Sequence, residues 1–569
     1  MQKRWTLKKQ ADEETVKNLS QKCNINPVIA KILVQRGIDT FEKAKSFFRP
    51  SLDDLYNPFL MKDMDIAVAR LDKAIEKNEK ILIYGDYDVD GTTAVALIYS
   101  FLKEYNKNID FYIPDRNSEG YGVSFKAIDF AKENNFSLII SLDCGIKAIE
   151  QIKYAKDSGI DFIVCDHHIQ GEELPVATAI LDPKRNNCTY PYKELSGCGV
   201  GFKMLFGYCL KKNIPISKLY DYLDLVAISV CSDIVPITGE NRILTYYGLQ
   251  SINNCPRPGI KSLLDVSGFK KRASVNDVVF VIGPRINAAG RINTGRNAVE
   301  LLISDDAEKS IAFAKEINYD NNTRKDLDKQ ITQEALQIIG NSEELQKRKS
   351  TVLFNPDWHK GVIGIVASRV IENYYKPTII LTESEGFATG SARSIKNFDL
   401  YEALCACSDL LERFGGHKYA AGITMKKENI GLFTEKFEKI VCETIDDELL
   451  IPEIDIDSEI NFNDITLNFC KVIKQFAPFG PENMNPLFKT ENVFDKGFAK
   501  IVGEKHLKLN LCQNSNKNKM FDAIAFNKAE VLDKVNQNSP FAICYSIEEN
   551  EWNGEIKVQL NIKDFFCKI

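Results

Sequence analysis

Four short stretches hold most of the residues in this chain that could do chemistry. They are "DYDVDG" (Asp86, Asp88, Asp90), "SLDCG" (Asp143), "CDHH" (Asp166, His167, His168) and "CSDIVP" (Asp233). Three aspartates alternating within one loop repel one another unless something positive sits among them. A calcium loop of the D-x-D-x-D-G type needs a bidentate Glu at its twelfth position and a helix in front. Here the twelfth position from Asp86 is Leu97, and the run in front, "ILIY", is strand-like. Carboxylates mixed with imidazole, without a C-x-x-C pair, suit Mn²⁺ or Mg²⁺ better than Ca²⁺ or structural Zn²⁺. The groups are too many for one ion. Two ions about 3.5–4 Å apart, bridged by a shared carboxylate, would use them and would serve phosphoryl chemistry. An Asp after a strand is often only a helix N-cap. That explanation weakens for the whole set, since two of the chain's five histidines stand side by side in one of these motifs.

The elements around these motifs give the reason they would meet. From about 62 to 255, short apolar runs ("ILIYG", "NIDFYIP", "SLIISLD", "DFIVC") alternate with amphipathic helical patterns. That pattern predicts a parallel sheet covered on both faces. In such a sheet the loops after the strand C-termini converge on one edge, where ligands bind. Asp86–Asp90, Asp143 and Asp166–His168 each follow a strand. Asp233 follows a helical run.

The fold class expected is α/β multidomain. Residues 1–61 read as an N-terminal helical segment and 62–255 as the catalytic domain. Residues 256–345 read as a connector, with the Gly/Pro-rich "FVIGPRINAAGRINTG" followed by a long polar helix from Ala307 to Gly340. Residues 346–449 read as a second α/β lobe. Residues 450–569 hold short β-like runs such as "HLKLNLC" and "IKVQLNI", which predict a small antiparallel barrel.

A chain of 569 residues is too long for one core. It has no apolar run of membrane-spanning length. Its first residues lack the apolar stretch of a secretory signal. Fifteen cysteines in such a chain point to reduced thiols, so a cytoplasmic protein without a membrane partner is expected. The net charge of −6 does not exclude nucleic acid, which needs a basic groove and not a basic protein.

The four motifs, in this order, resemble those of the DHH phosphoesterases. "IPDRNSEGYG", "GPRINAAGR", "WHKGVIGIVASR", "GSARS", "FGGHKYAAG" and "FAPFGPENMNPLF" resemble the RecJ family of bacterial single-strand-specific exonucleases. The resemblance implies a DHH lobe, a DHH-associated lobe and a C-terminal OB-fold. It implies 5′→3′ degradation of single-stranded DNA to 5′-mononucleotides with Mn²⁺ or Mg²⁺, in recombination and repair. Asp88, Asp90, Asp143, His167 and Asp233 would be metal ligands. Asp86 and Asp166 would be ligands or residues that orient them, and His168 would hold water or substrate.

For substrate, the resemblance points to Arg116 on a 5′-phosphate and Tyr121 on a base. Arg291 would gate or clamp the strand. Ser391, Arg393, Gly415, Gly416 and His417 would bind phosphate in the second lobe, across a cleft from the metals. Lys505, Lys508, Lys517 and Lys519 would line the barrel's groove. A helicase and a single-strand-binding protein are the partners expected, with the chain a monomer. A small-substrate DHH phosphatase would be shorter, and a binding-only scaffold would show broken metal motifs. RNA as substrate stays open, since a 2′-OH discriminator is not legible in sequence.

Overall fold

The computed structural model describes residues 3–116, 118–514, 519–535, 539–552 and 555–567. The chain divides into two compact units. The larger takes in Thr6–Gly290, Thr294–Ile317 and residues from Asp455. The smaller takes in Arg291–Asn293, Asn318–Ile454 and the chain up to Trp5.

In the larger unit the apolar runs form β1 (Ile81–Gly85), β2 (Ile109–Tyr112), β3 (Leu138–Leu142), β4 (Asp161–Cys165) and β5 (Ala179–Leu181). All neighbours are parallel, in the order β2-β1-β3-β4-β5. Alternate residues go to opposite faces, as the two-residue period demands. Ile81, Ile83, Ile140 and Leu142 enter one apolar core. Leu82, Tyr84, Ile139 and Val164 enter the other. Both faces are therefore covered, which is why β1 and β3 are apolar without alternation. The fifth strand, not anticipated from sequence, has only three residues, too few for a periodicity to show.

Three helices matter to the site: α1 (Val89–Lys103), α2 (Gly197–Lys212) and α3 (Leu223–Ser232). They pack together in the core on one face of the sheet, through residues such as Val95, Ile98, Val200 and Val226.

The segment expected to connect the lobes differs from its sequence reading. Helices Pro258–Val266, Gly283–Ile292 and Gly295–Ile303 send Ile260, Leu263, Ile286 and Val299 into that same core. Pro284 lies inside a continuous helical run from Val275 to Ile292, directly after the π-helical stretch Val278–Ile282, a local irregularity of the kind that relaxes the backbone bonding a proline interrupts. The connector reading holds only for the 34-residue helix Ala307–Gly340, which passes from one unit to the other.

In the smaller unit β6 (Thr351–Phe354), β7 (Thr378–Ser384), β8 (Phe387–Arg393), β9 (Arg413–His417) and β10 (Ala420–Met425) form a sheet in the order β9-β10-β8-β7-β6. Helix α4 (Ile363–Tyr374) packs on it.

The C-terminal strands close into a barrel. Phe488–Asp495 pairs with both His506–Gln513 and Phe541–Trp552. Two pairs depart from the antiparallel expectation: Ser458–Glu459 runs parallel to Phe488–Asp495, and Met520–Ala525 runs parallel to Glu555–Cys567. The strand Phe541–Trp552 is already committed to Phe488–Asp495, so its hairpin partner closes the barrel in the direction the hairpin dictates.

The N-terminal helices are not an independent segment. Leu19, Ile29 and Leu33 share a core with Phe469, Phe476 and Leu509 of the barrel region. Arg242, 4 % exposed, fixes this assembly to the catalytic lobe. Its guanidinium donates to the carbonyls of Phe47 (3.1 and 3.2 Å), Phe476 (2.8 Å) and Ala477 (3.0 Å), and lies 4.0 Å from the Phe47 ring centre. Replacing it with Met takes the donor from the Phe47 and Ala477 carbonyls, at about 1–3 kcal/mol each, while the Phe476 carbonyl keeps the Asn483 amide (2.8 Å). Arg242→Met is therefore expected to lower the urea midpoint of the larger unit markedly, and Arg242→Lys to recover little. A midpoint unchanged in the Met variant would show that the fork is not what holds these segments.

Candidate metal centre

The strand order reverses between β1 and β3, so the loops leaving them open a crevice at the carboxyl edge of the sheet. Asp86 and Asp88 leave β1, and Asp88 caps α1 by accepting from the Gly91 N–H (3.0 Å). A Cβ on Gly91 would collide with the Asp86 backbone, so only glycine lets the chain fold back this tightly.

Asp90 lies in the first turn of α1, 1 % exposed. Its carboxylate accepts from the N–H groups of Gly197 (2.6 Å) and Cys198 (2.8 Å), at the N-terminus of α2. A helix N-terminus favours an anion there. Asp143 follows β3 with φ +60°, a left-handed backbone that costs strain for a residue with a Cβ. A Cβ on Gly197 would lie 2.6 Å from the Asp143 Cβ, so α2 can begin here only with glycine.

After β4, Asp166 turns back on its own loop. Its Oδ1 accepts from the His167 N–H (2.7 Å) and from His168 Nδ1 (2.7 Å), and its Oδ2 from the Ile146 N–H (2.9 Å). Both oxygens are used within the loop, an arrangement that suits the orienting role of the two expected for Asp166. His168 Nε2 lies 3.1 Å from the Tyr121 hydroxyl, which also reaches the Asp143 carbonyl (3.4 Å). Burial works against a proton on His168, but the Asp166 hydrogen bond outweighs it and holds the imidazole up at about 9.

His167 is the convergence point. Its Nε2 lies 3.1 Å from Asp143 Oδ1, 3.5 Å from Asp233 Oδ2 and 3.8 Å from Asp90 Oδ2. Neither ring nitrogen has a hydrogen-bond partner, and Oδ1 of Asp86 and of Asp143 are also buried and unpaired. Burial pushes His167 down to about 4, so the ring is neutral. Burial first, and neighbouring carboxylates second, raise the proton affinity of Asp86, Asp88, Asp143 and Asp233.

A neutral imidazole facing three carboxylate oxygens, with buried polar atoms left over, is what a site for hard divalent cations looks like. Ligand atoms from Asp143, His167 and His168, and from Asp90, His167 and Asp233, form two groups compact enough to hold an ion. The donors therefore fit Mn²⁺ or Mg²⁺.

Arg116 joins this centre, its guanidinium 4.9 Å from the Tyr87 ring centre in the β1 loop. Tyr121 joins it through its hydroxyl. Ser391, Arg393, Gly415, Gly416, His417 and Arg291 belong to the smaller unit. There the register aligns Gly415, Gly422 and Ser391 in one row and His417, Ala420 and Arg393 in the next row but one. Ser391, Arg393, Gly415 and His417 thus share a sheet face, with Gly416 on the other parity. Arg393 Nη1 donates to Ser391 Oγ (2.9 Å). A Cβ on Gly364, in the first turn of α4, would lie 2.8 Å from that hydroxyl. Arg291 Nη1 donates to the Gly361 carbonyl (2.9 Å), just before α4. His359 accepts from the Gly361 N–H (3.1 Å), a local cap. Lys505 and Lys508 are exposed on the barrel, Lys519 Nζ donates to the Asn463 carbonyl (3.1 Å), and Lys517 lies outside the described residues.

The sequence reading missed the group that grips Asp90: Gly197 and Cys198, with the Ser196 cap before them. "SGCGVG", a serine followed by alternate glycines, was its signal.

A parallel sheet with aspartates and a His pair on its carboxyl edge defines a DHH phosphoesterase. Residues 80–230 match the DHH family N-terminal domain, 348–443 the DHHA1 domain and 456–564 the RecJ OB domain. The chain is 38% identical to the single-stranded-DNA-specific exonuclease RecJ of Bacillus subtilis (strain 168), over 99% of this chain and 70% of that protein. It is 31% identical to RecJ of Escherichia coli (strain K12), over 95% of this chain and 96% of that protein. The crystal structure of RecJ in complex with Mn²⁺ from Thermus thermophilus superposes with a TM-score of 0.84 at 25% identity, over 99% of this chain and 79% of that one. This chain belongs to the RecJ family of single-stranded-DNA-specific exonucleases, and it is a hydrolytic nuclease by class. Among the described residues no helix is long and apolar enough to cross a membrane.

Gly197→Ala tests the close approach. It should displace Asp143 or the start of α2 by about 1 Å, lower metal-dependent activity on the order of 10²-fold, and lower the melting temperature modestly through overpacking. Full activity in this variant would mean that the site tolerates a looser packing than the contact implies.

Proposed function

We propose that this chain degrades single-stranded DNA from the 5′ end, releasing 5′-mononucleotides by hydrolysis that uses two divalent ions. The observation that carries the reading is the ring of Asp143, Asp233 and Asp90 oxygens 3.1–3.8 Å from His167 Nε2. Two Mn²⁺ or Mg²⁺ ions held by Asp88, Asp90, Asp143, His167 and Asp233, with Asp86 beside them, would make water a nucleophile and neutralise charge developing on phosphorus.

The chain's own residues supply the rest. Asp166 fixes His168 through Nδ1, and this leaves Nε2–H directed at the Tyr121 hydroxyl. A phosphoryl oxygen taking that hydroxyl's place would receive a charge-assisted hydrogen bond. Arg116, resting on Tyr87 beside the acidic loop, suits a terminal 5′-phosphate. Holding that phosphate at a fixed distance from the scissile bond would set a one-nucleotide step. The half-exposed Tyr121 ring suits a base.

In the smaller unit, Arg393 and Ser391 beside the first turn of α4 make a face for backbone phosphates. On the barrel, Lys500 stands opposite Lys508 on paired strands, a like-charge pair that an anion between them would relieve. A helicase and a single-strand-binding protein would supply the strand to a monomer.

A 3′-labelled, 5′-phosphorylated single strand incubated with Mn²⁺ should shorten as a ladder from the 5′ end. Its duplex, an EDTA-treated sample and Asp143→Ala should leave it intact. Shortening from the 3′ end, or equal cleavage of an RNA strand, would overturn the direction or the substrate. Arg116→Ala should raise KM for the 5′-phosphorylated strand roughly tenfold, the worth of one charged hydrogen bond, and affect a 5′-hydroxyl strand much less. Equal losses on both strands would remove Arg116 from the phosphate site.

A further inference from the structure

Ser229 is fully buried in the middle of α3, one helical turn before Asp233. A serine inside a helix commonly turns its hydroxyl to the carbonyl four residues back. This one instead donates to Asp90 Oδ1 (2.6 Å). Its own carbonyl accepts the Asp233 N–H (2.9 Å). One residue thus touches both carboxylate-bearing residues of the group formed by Asp90, His167 and Asp233.

The hydroxyl also has a defined supply. Ser196 Oγ accepts from the Gly199 N–H (3.1 Å) and lies 2.6 Å from Ser229 Oγ. The single Ser229 proton is taken by the carboxylate, which can only accept, so the proton between the two hydroxyls is that of Ser196. The bonds run one way, from the first turn of α2 through Ser196 and Ser229 to Asp90. Hydrogen bonds in such a chain polarise one another. Asp90 Oδ1 is then saturated by Ser229 and the Cys198 N–H, and Oδ2, held by the Gly197 N–H, is the oxygen turned to His167.

We propose that Ser229 is a positioning residue of the metal centre: its hydroxyl fixes which oxygen of Asp90 is presented, and its backbone sets Asp233 against it. This rests on the reading of the cluster as a divalent-metal site. Groups that orient ligands in this way change metal affinity by about 10–100-fold when removed.

The test compares Ser229→Thr with Ser229→Val, which match in shape and differ in the hydroxyl, beside Ser229→Ala. Mn²⁺ binding to the full chain is measured by electron paramagnetic resonance, with melting temperature in EDTA as the fold control. The expected result is affinity at least tenfold weaker in Val and Ala than in Thr, with exonuclease activity in those two recovered at higher Mn²⁺. Equal Mn²⁺ affinity in Thr and Val, whatever their shared loss from overpacking, would overturn the proposal. A parent chain that binds Mn²⁺ without cutting DNA would overturn the nuclease reading and leave the Ser229 comparison intact. A parent that binds no Mn²⁺ would overturn both.

Discussion

The crowding of carboxylates at one edge of a parallel sheet is the constraint to which the larger unit is built. Asp86, Asp90 and Asp143 are each no more than 2 % exposed, and burial of like charges this close is unfavourable without compensation. The protein supplies part of that compensation itself. The N-terminus of α2 and the Ser229 hydroxyl take Asp90, the α1 turn takes Asp88, and His168 takes Asp166. What remains uncompensated surrounds His167, and it calls for cations from outside. The division is informative. Asp90 is held in place by protein donors on both oxygens, whereas Oδ1 of Asp86, Oδ1 of Asp143 and both His167 ring nitrogens are buried without one.

The same constraint explains the local backbone. Asp143 accepts a left-handed φ because β3 must end abruptly to aim its side chain across the crevice. Gly197 and Gly91 are there because the segments carrying ligands approach closer than any Cβ permits. Asp166 is the counter-example among the acidic residues. It occupies a strand end like the others, but its oxygens close a local turn and steer the histidines.

Much of this was legible in the sequence, for a definite reason. Unbroken apolar runs such as "ILIYG" and "LIISL" can be satisfied only by strands buried on both faces, and the topology of such a sheet sends every following loop to one edge. The three acidic motifs that follow strands were therefore placed by the fold class alone, whereas Asp233, at the end of α3, was not. What was not legible is what depends on contacts distant in sequence. The N-terminal helices share a core with the barrel more than 400 residues away, and no local pattern encodes that. "GPRINAAGR" has the composition of a loop and yet continues a helical run, entered through the π-helical stretch Val278–Ile282. Ser229, in the apolar run "LVAISVC", reads as filler in a core helix, and its partner Asp90 lies 139 residues earlier.

Asp90, His167 and Asp233 come from the first turn of α1, the loop after β4 and the C-terminal end of α3. No single element fixes their mutual distances. Those distances are set by how α1, α2 and α3 pack in one core, where side chains such as Val95, Val200 and Val226 are fully buried. Protein interiors are close-packed, so a cavity in that core moves the elements around it. Shifts of a few tenths of an ångström there change metal coordination while costing little of the total stability. The centre is therefore sensitive to packing well outside it. Substitutions between these helices, with no ligand touched, would weaken metal binding before they unfold the chain.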